Sequence, residues 1–316
     1  MSIFRYLYKS TSTNLPGLLK GRSWDFFFSA HTDAERVHTV YSAVDAKQKE
    51  WFAFKEYKYS KNEISQTCFF ADQYDESYAI INALMQHKGL ECSKSICIDS
   101  TGFIRPYFAF MIYHLKRIGF KKIDILYSEP ISYKEKENTK FSHGSPLEIR
   151  QIRGFEGAHN SDTSNDVLII NSGYDEYAIA AIAEHKRHAK KYQLIGFPSL
   201  RADMYQQCLL QINKAQESIG RGSVDDALDI LAPANDPFIT ADILEKTIAN
   251  IHSASPITNL YLSPLATKAQ LLGVVLYYLL GDIPCPASII FPFLSDYSRE
   301  TSYGVSRAWI YCVEFP

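Results

Sequence analysis

Small hydroxyl-bearing residues follow several strand-like segments of this sequence, each directly before a predicted helix. In such a turn, backbone N–H groups and hydroxyls can bind an anion at the positive end of the helix, and a nearby cation adds to the attraction. A phosphate is the group that suits this chemistry. The candidate ligand-binding residues are Ser100, Thr101, Gly102, Arg105, Ser172, Gly173, Tyr174, Ser263, Thr267 and Lys268.

The alternative for each of these turns is a structural one. Serine, threonine and glycine are also the residues that helix caps and tight turns require when no ligand is present. Neither GxGxxG nor GxxxxGK[ST] occurs in the sequence, so it predicts neither a dinucleotide fingerprint nor a P-loop. The phosphate prediction therefore depends on the repeated occurrence of these turns after strands.

A loop near the carboxyl terminus adds two candidate ligand residues. The segment DYSRETSYGVSRAW follows the strand-like run SIIFPF and contains Tyr297 and Arg299. Arginine binds phosphate and tyrosine stacks on a base, so the pair suits a nucleotide. An ordinary polar turn whose aromatic residues cover the core is the alternative.

Loop carboxylates are the candidates for acid–base chemistry, because catalytic acids often occupy loops that a rigid scaffold positions. They are Asp99, Glu156, Asp175 and Asp236, although turn formation explains Asp175 and Asp236 equally well. His185 and His188 lie three residues apart on a predicted helix, but no third ligand is indicated, and the sequence predicts neither a metal site nor a cofactor.

Strand-like and helical patterns alternate along most of the chain and must position these residues. Segments rich in β-branched and aromatic residues, such as WDFFFSA, SICID, DVLIIN and NLYLS, alternate with amphipathic runs. This alternation predicts an α/β fold, a Rossmann-like and mostly parallel sheet with helices on both faces. In such a sheet the ligand lies at the carboxyl ends of the strands.

The sequence predicts an amino-terminal α/β unit over 1–90 and a Rossmann-like ligand-binding domain over 91–316, which together could form one continuous fold. The run KEYKYSKNEISQ, which begins at Lys55, is interpreted as a solvated edge rather than a binding site.

Composition excludes several classes of protein. The 316 residues carry a formal charge of -2, which gives no global basic field for nucleic acid. The six cysteines lack a CxxC pair, and reduced structural thiols in a cytoplasmic protein are expected. No sustained apolar run indicates a secretion signal or a membrane span.

The segment ITNLYLSPLATKAQLLGVVLYYLL resembles the strand, turn and long helix of CARF-type nucleotide sensors, which recognise cyclic oligoadenylates in bacterial immunity. More broadly, SWDFFFSAHTDAERV, ICIDSTGF, ILYSEPISY, NLYLSPLATK and SRETSYGVSRAWIY are similar to a family of uncharacterised bacterial proteins associated with anti-phage defence. The resemblance implies a nucleotide-binding component that acts with a partner protein, an ATPase or a nuclease, and suggests a homodimer.

Three functions stay open at this point. The first is a defence component that holds a nucleotide or phosphorylated small molecule. The second is an enzyme acting on nucleotides, a hydrolase, glycosidase or transferase, with the loop carboxylates as acid or base. The third is a structural interaction subunit, because Leu265 and Ala266 stand where the sensor pattern has glycines.

Overall fold

Parallel strands joined by helices make up most of the structure, as the alternating sequence pattern predicts. The computed structural model describes residues 2–60, 62–64, 68–87, 89–133, 146–220 and 229–316. The chain divides into two units. The first unit comprises Leu7–His143 and Ser295–Pro316, and the second comprises Met1–Tyr6 and Gly144–Leu294.

The first unit is built around a sheet whose central strands are rich in aromatic and β-branched residues. Its strands are β1 (Tyr8–Ser12), β2 (Trp24–Ala30), β3 (Ala46–Phe54), β4 (Cys68–Ala71), β5 (Ile96–Asp99), β6 (Lys122–Glu129), β7 (Ser132–Tyr133), β14 (Ser302–Tyr303) and β15 (Arg307–Glu314). Its α-helices are α1 (Leu15–Leu19), α2 (Glu35–Ala43), α3 (Glu76–Met85) and α4 (Arg105–Arg117). A 3-10 turn over Lys55–Tyr57 follows β3.

The main sheet of the first unit has the strand order β1-β15-β6-β5-β2-β3-β4. The strands from β4 to β6 are parallel, and β15 and β1 add antiparallel pairs at the β6 side. When the parallel strands are counted along the chain, their order is 3-2-1-4-5, the order of a Rossmann fold. The order reverses between β2 and β5, which is therefore the topological switch point of this sheet.

The second unit has its own sheet. Its strands are β8 (Glu148–Gln151), β9 (Val167–Asn171), β10 (Lys190–Gly196), β11 (Asp229–Ala232), β12 (Leu260–Pro264) and β13 (Ala287–Phe293). Its helices are α5 (Glu176–His185), α6 (Met204–Lys214), α7 (Gln216–Ile219), α8 (Pro237–Ala254) and α9 (Lys268–Leu280), preceded by a 3-10 turn over Ile3–Tyr6.

The second sheet repeats the order of the first. Its strands run β11-β10-β9-β12-β13-β8, and all pairs are parallel except that of β13 with β8. The parallel strands again follow the order 3-2-1-4-5 along the chain, and the switch point lies between β9 and β12. The α/β class with largely parallel, Rossmann-like sheets is confirmed.

Helices cover both faces of the first sheet. Leu18 of α1 and Val40 of α2 pack with Phe27 and Leu126 on one face. On the opposite face, Tyr107 of α4 lies with its ring 4.3 Å from that of Phe54. Right-handed crossovers that run in opposite directions from β2 place helices on opposite faces, which explains this arrangement.

The division of the chain differs from the predicted boundary near residue 90. Strands β5 and β6 lie beyond that boundary, yet β5 pairs with β2 and β6 pairs with β5 in the first sheet. The chain completes this sheet only with β15, after it has formed the second unit. The predicted division into 1–90 and 91–316 is therefore wrong, because strand pairing joins residues from both sides of it. Within the described residues, no helix is both long and apolar enough to cross a bilayer.

Candidate functional site

The predicted ligand residues and three of the candidate catalytic acids lie at the carboxyl ends of two different sheets. Those of the first unit are Asp99, Ser100, Thr101, Gly102, Arg105, Tyr297 and Arg299. Those of the second unit are Ser172, Gly173, Tyr174, Asp175, Asp236, Ser263, Thr267 and Lys268. Glu156 belongs to neither group and lies in the loop after β8. The predicted residues of the second unit have mainly structural partners.

Three of the predicted residues in the second unit cap helices. Asp175 and Asp236 accept hydrogen bonds from backbone N–H groups of α5 and α8, at 3.0 and 3.1 Å respectively. The hydroxyl of Thr267 accepts one from α9 at 3.1 Å, and Lys268 is the first residue of that helix. The helix N-termini at which an anion was expected are therefore capped by side chains of the chain itself.

The remaining predicted residues of this edge face the interior. The buried hydroxyl of Ser172 donates to the side chain of Gln193, and that of Tyr174 donates to a backbone carbonyl at 3.3 Å. A Cβ on Gly173 would lie 2.7 Å from a carbonyl oxygen in the loop after β12, so the two loops of the switch point are in close contact. Ser263 is buried, and its Oγ has no hydrogen-bond partner among the described residues.

At the switch point of the first unit, Asp99 is the centre of a polar row that crosses the sheet. This fully buried carboxylate accepts hydrogen bonds from the hydroxyl of Ser29 at 3.1 Å and from the backbone N–H of Thr101 at 3.0 Å. The Thr101 hydroxyl continues the row to that of Ser128, 3.0 Å away. Burial raises the pKa of Asp99, and the hydrogen bonds from Thr101 and Ser29 partly oppose that effect.

Arg36, in the first turn of α2, lies over this row. Its Nη1 donates to the carbonyl of Ser128 at 2.5 Å, and its charge lowers the pKa of Asp99. Its Nε is buried and has no hydrogen-bond partner within the described ranges. Helix α2 follows the first strand of the Rossmann order, and its N-cap, Ala34, provides no side-chain cap. An anion of a ligand binds at this helix start in Rossmann folds.

Ser100 and Gly102 shape the turn after β5. Both the N–H and the hydroxyl of Ser100 donate to the carbonyl of Leu126, so its side chain is not directed at a ligand. A Cβ on Gly102 would lie 2.2 Å from the carbonyl oxygen of Ala30. Only glycine, which has no Cβ, therefore fits at this position. Ser100 therefore joins the turn after β5 to β6, and Gly102 allows the turn to lie close to the end of β2.

The loop with Tyr297 and Arg299 crosses the carboxyl edge of the first sheet. The N–H of Tyr297 donates to the carbonyl of Glu56, and the carbonyl of Arg299 accepts from the N–H of Asp33, after β2. The guanidinium of Arg299 donates to two backbone carbonyls after β3 and to Glu63 at 2.9 Å. Arg299 therefore fixes this loop rather than presenting a free phosphate-binding group.

Arg105 begins α4, one residue after the turn that follows β5. It is half-buried, and its charge partly opposes the burial-raised pKa of Tyr57. Arg105 thus lies at the carboxyl edge of the first sheet.

Glu56 and Tyr107 form a buried acidic pair at the same edge. The Tyr107 hydroxyl donates to Glu56 Oε1 at 2.6 Å, while Glu56 Oε2 has no partner among the residues that the structure describes. Glu56 is 4% exposed, and burial raises the pKa of its carboxyl to about 7. The nearby carboxylate of Glu76, also buried, acts in the same direction.

An aromatic cluster lies at the β3 end of the polar row. Its members are His31, His38, Tyr41, Trp51 and Tyr59. Trp51 pairs with Ser29, which pairs with Asp99, so these three side chains project from one face of the sheet. The ring of Tyr41 stacks on Trp51 at 3.8 Å, and Trp51 is partly exposed. The Nδ1 atom of His31 is buried and lacks a partner within the described part of the chain.

Sequence reasoning missed Arg36, Glu56 and the aromatic cluster. The run that begins at Lys55 was interpreted as a solvated edge, and that interpretation is wrong for Glu56, Tyr57 and Tyr59, which are buried. The signal was the pair of tyrosines within a charged run, since aromatic side chains at alternate positions indicate burial. Arg36 had no such signal, because a single arginine in a helical pattern is ordinarily a surface residue.

Fold and site together define a protein of two Rossmann-like α/β units, one of which has buried acids, an arginine and aromatic rings at its switch point. Comparison with models of known protein families and with curated proteins finds no match for this chain.

Proposed function

We propose that this chain binds a phosphorylated, nucleotide-like ligand at the carboxyl edge of the first sheet. The observation that carries the proposal is the combination of Arg36, the hydroxyl row and the aromatic cluster at the switch point between β2 and β5. Perturbed buried acids, Asp99 and Glu56, lie at this same edge. Clustering of such groups is characteristic of functional sites.

The order of groups along the edge suits the parts of a nucleotide. The exposed part of Trp51 offers a surface on which a base can stack, at β3. Ser128 and Thr101 lie toward β6, three strand spacings away, or roughly 14 Å. Arg36 lies over that end and can direct its unpartnered Nε to a phosphate oxygen. The turn His31–Ala34 lacks glycine, so the arginine replaces the backbone cradle of a dinucleotide fingerprint.

Substitution of Arg36 tests this placement. Titration calorimetry with AMP, ATP and a cyclic oligoadenylate should find a ligand that wild type binds, and Arg36→Met should weaken that binding about tenfold or more, since charged hydrogen bonds are lost. Arg22→Met is the matched control: Arg22 also donates to a backbone carbonyl, at 3.2 Å, but lies before β2, away from the carboxyl edge. Equal affinity of the two variants, or no binding by wild type, contradicts the proposal.

The biological setting that we propose is a bacterial anti-phage defence system. It is supported by the resemblance of the segments quoted above to defence-associated proteins and of the β12–α9 segment to CARF-type sensors. In this setting the chain acts in the cytoplasm as a homodimer, together with an effector partner, an ATPase or a nuclease. Co-purification from cells that express the neighbouring genes tests the partner.

A second candidate function is an enzyme that acts on such a ligand, and it is favoured by the raised pKa of Asp99. A buried carboxyl whose pKa is raised holds its proton more readily and can donate it to a leaving group. Asp99→Asn should then abolish turnover of a bound nucleotide while the melting temperature and the ligand affinity change little. A variant that keeps its turnover contradicts this second candidate alone.

A further inference from the structure

The second unit contains a polar cavity of about 170 Å³ at the amino ends of β12 and β13. This edge of the sheet is opposite to the one at which the predicted ligand residues lie. Polar side chains line it, namely Gln151, Glu156, His159, Lys186, Tyr261 and Ser288. Only Glu156 among these was expected to take part in chemistry.

Lys186, the C-cap of α5, brings a positive charge to the cavity beside Tyr261 of β12. Lys186 places its Nζ 3.8 Å from the centre of the Tyr261 ring, and burial lowers the pKa of this lysine. The Tyr261 hydroxyl donates to Asp166 Oδ2 at 3.3 Å and lies 3.3 Å from His159 Nδ1. Asp166 also accepts a hydrogen bond from Asn259 at 2.8 Å. This bond fixes the carboxylate that orients the Tyr261 hydroxyl.

The loop after β8 brings a carboxylate, that of Glu156, to the cavity beside β13. Glu156 Oε2 accepts from the N–H of Gly154 at 2.7 Å, and its Oε1 lies 3.9 Å from the exposed Arg153 guanidinium. Gly157 has φ +59, and a Cβ there would lie 1.8 Å from the carbonyl oxygen of Ala287. A glycine is therefore required to bring the loop with Glu156 and His159 against β13.

We infer that this cavity binds a small molecule with an oxyanion at one end and hydroxyl groups at the other, a phosphorylated polyol or a hydroxy acid. The oxyanion lies at Lys186 and His159, and the hydroxyls donate to the Glu156 carboxylate. The volume of about 170 Å³ is below the roughly 300–1,000 Å³ of pockets that hold drug-sized ligands, so the ligand proposed for this cavity is smaller than a nucleotide. The site is thus separate from the one proposed for the first unit.

Four probe molecules test the contributions of the oxyanion and of the hydroxyl groups to binding. Glycerol 3-phosphate and glycerate have both kinds of group, whereas inorganic phosphate has only the oxyanion and glycerol only the hydroxyls. By titration calorimetry with the full chain, we expect one of the first two to bind with a dissociation constant of about 1 mM or lower. Each single-ended probe should bind about tenfold more weakly, and the better of the first two identifies the oxyanion as phosphate or carboxylate.

Three variants assign the binding to the cavity. Lys186→Met should weaken the better probe about tenfold or more. Lys190→Met is the matched control, because Lys190 also lies over a tyrosine ring, that of Tyr192 at 5.4 Å, but does not line the cavity. Glu156→Gln keeps an oxygen for the Gly154 N–H and should reduce the preference for glycerol 3-phosphate over inorganic phosphate, which provides a test even where Lys186→Met fails to fold.

Two results would overturn the inference. One is that no probe binds to wild type at about tenfold the expected dissociation constant. The other is that the Lys186 and Lys190 variants bind alike and Glu156→Gln leaves the preference unchanged. The first-unit variant Arg36→Met should bind these probes as wild type does, so failure of the nucleotide proposal and failure of this inference give different results.

Discussion

The buried acids of the first unit are costly to its stability. Asp99 is fully buried and Glu56 is 4% exposed, and burial raises the pKa of both. A carboxylate removed from water destabilises a fold unless hydrogen bonds or a cation compensate. Asp99 has Ser29 and Thr101 as partners, whereas one oxygen of Glu56 has none among the described residues. Such uncompensated groups are typical of sites where function opposes stability.

Glu56 should make stability depend on pH in a direction opposite to that of a salt-bridged acid. Its folded pKa of about 7 exceeds its ordinary value of 4.5, so the unfolded chain binds fewer protons between these values. The stabilisation from the protonated carboxyl is full below about pH 4.5 and is lost as the pH rises to about 7. This loss amounts to about 3 kcal/mol.

Glu56→Gln should remove this pH-dependent part of the stability. The glutamine side chain keeps an oxygen that can accept from the Tyr107 hydroxyl. Urea unfolding at pH 5 and pH 8 can be followed by tryptophan fluorescence, because Trp24, Trp51 and Trp309 all belong to the first unit. We expect the variant to gain stability relative to wild type at pH 8 but not at pH 5. If the stability of the variant differs from that of wild type by the same amount at both pH values, Glu56 is not the source of the pH dependence.

At this scale the signal used for prediction was position after a strand. Asp99, Thr101 and Arg105 were found in this way and lie at the switch point. The method could not distinguish a ligand-binding serine from a capping or buried one, so Ser172 and Thr267 turned out to bond within the protein. Which partner a hydroxyl has depends on contacts from distant elements.

At the scale of elements, strand and helix patterns predicted the βαβ units but missed the third parallel strand of each sheet. These strands, β4 and β11, have four residues each and pair with a single neighbour. Four residues show no sustained alternation, and β5, which has the same length, was predicted because the strand and helix patterns around it are regular. Without β4 and β11 the order 3-2-1-4-5 could not be derived from the sequence.

Gly157 provides a test of how loops are fixed on the second sheet. Gly157→Ala should destabilise the second unit by about 3 kcal/mol, because its Cβ would overlap the carbonyl oxygen of Ala287 in addition to the strain of a positive φ. Gly220→Ala is the matched control, since Gly220 has φ +76 and no atom within 4 Å of its Cβ, and should cost about 1 kcal/mol. Calorimetric unfolding measures both, and equal costs contradict the close approach.

At the scale of the whole molecule, the chain forms two Rossmann-like units with the same order of parallel strands. The first unit is interrupted after residue 143 and is completed from residue 295 onward. A boundary drawn from local composition cannot detect such a return, because the pairing of β15 with β6 joins residues on either side of 144–294 in the sequence. The class of fold was predictable because local strand and helix patterns determine it. The division of the chain was not, because it depends on pairing between distant strands.

A nucleotide that binds at the first switch point should stabilise one unit selectively. Binding to the folded state alone raises its stability in proportion to the logarithm of ligand concentration. We therefore expect the tryptophan-detected melting transition to rise with added nucleotide. Glycerol 3-phosphate, in contrast, should leave the tryptophan signal unchanged, and a rise with this probe would contradict the separation of the two sites.

Hydrogen–deuterium exchange of the full chain with and without the nucleotide that binds tests the central claim most directly. Bound ligand should slow exchange over 29–36 and 99–105, the two loops of the first switch point, and Arg36→Met should abolish the effect. Unchanged exchange in both loops, or protection confined to the second unit, would contradict the account.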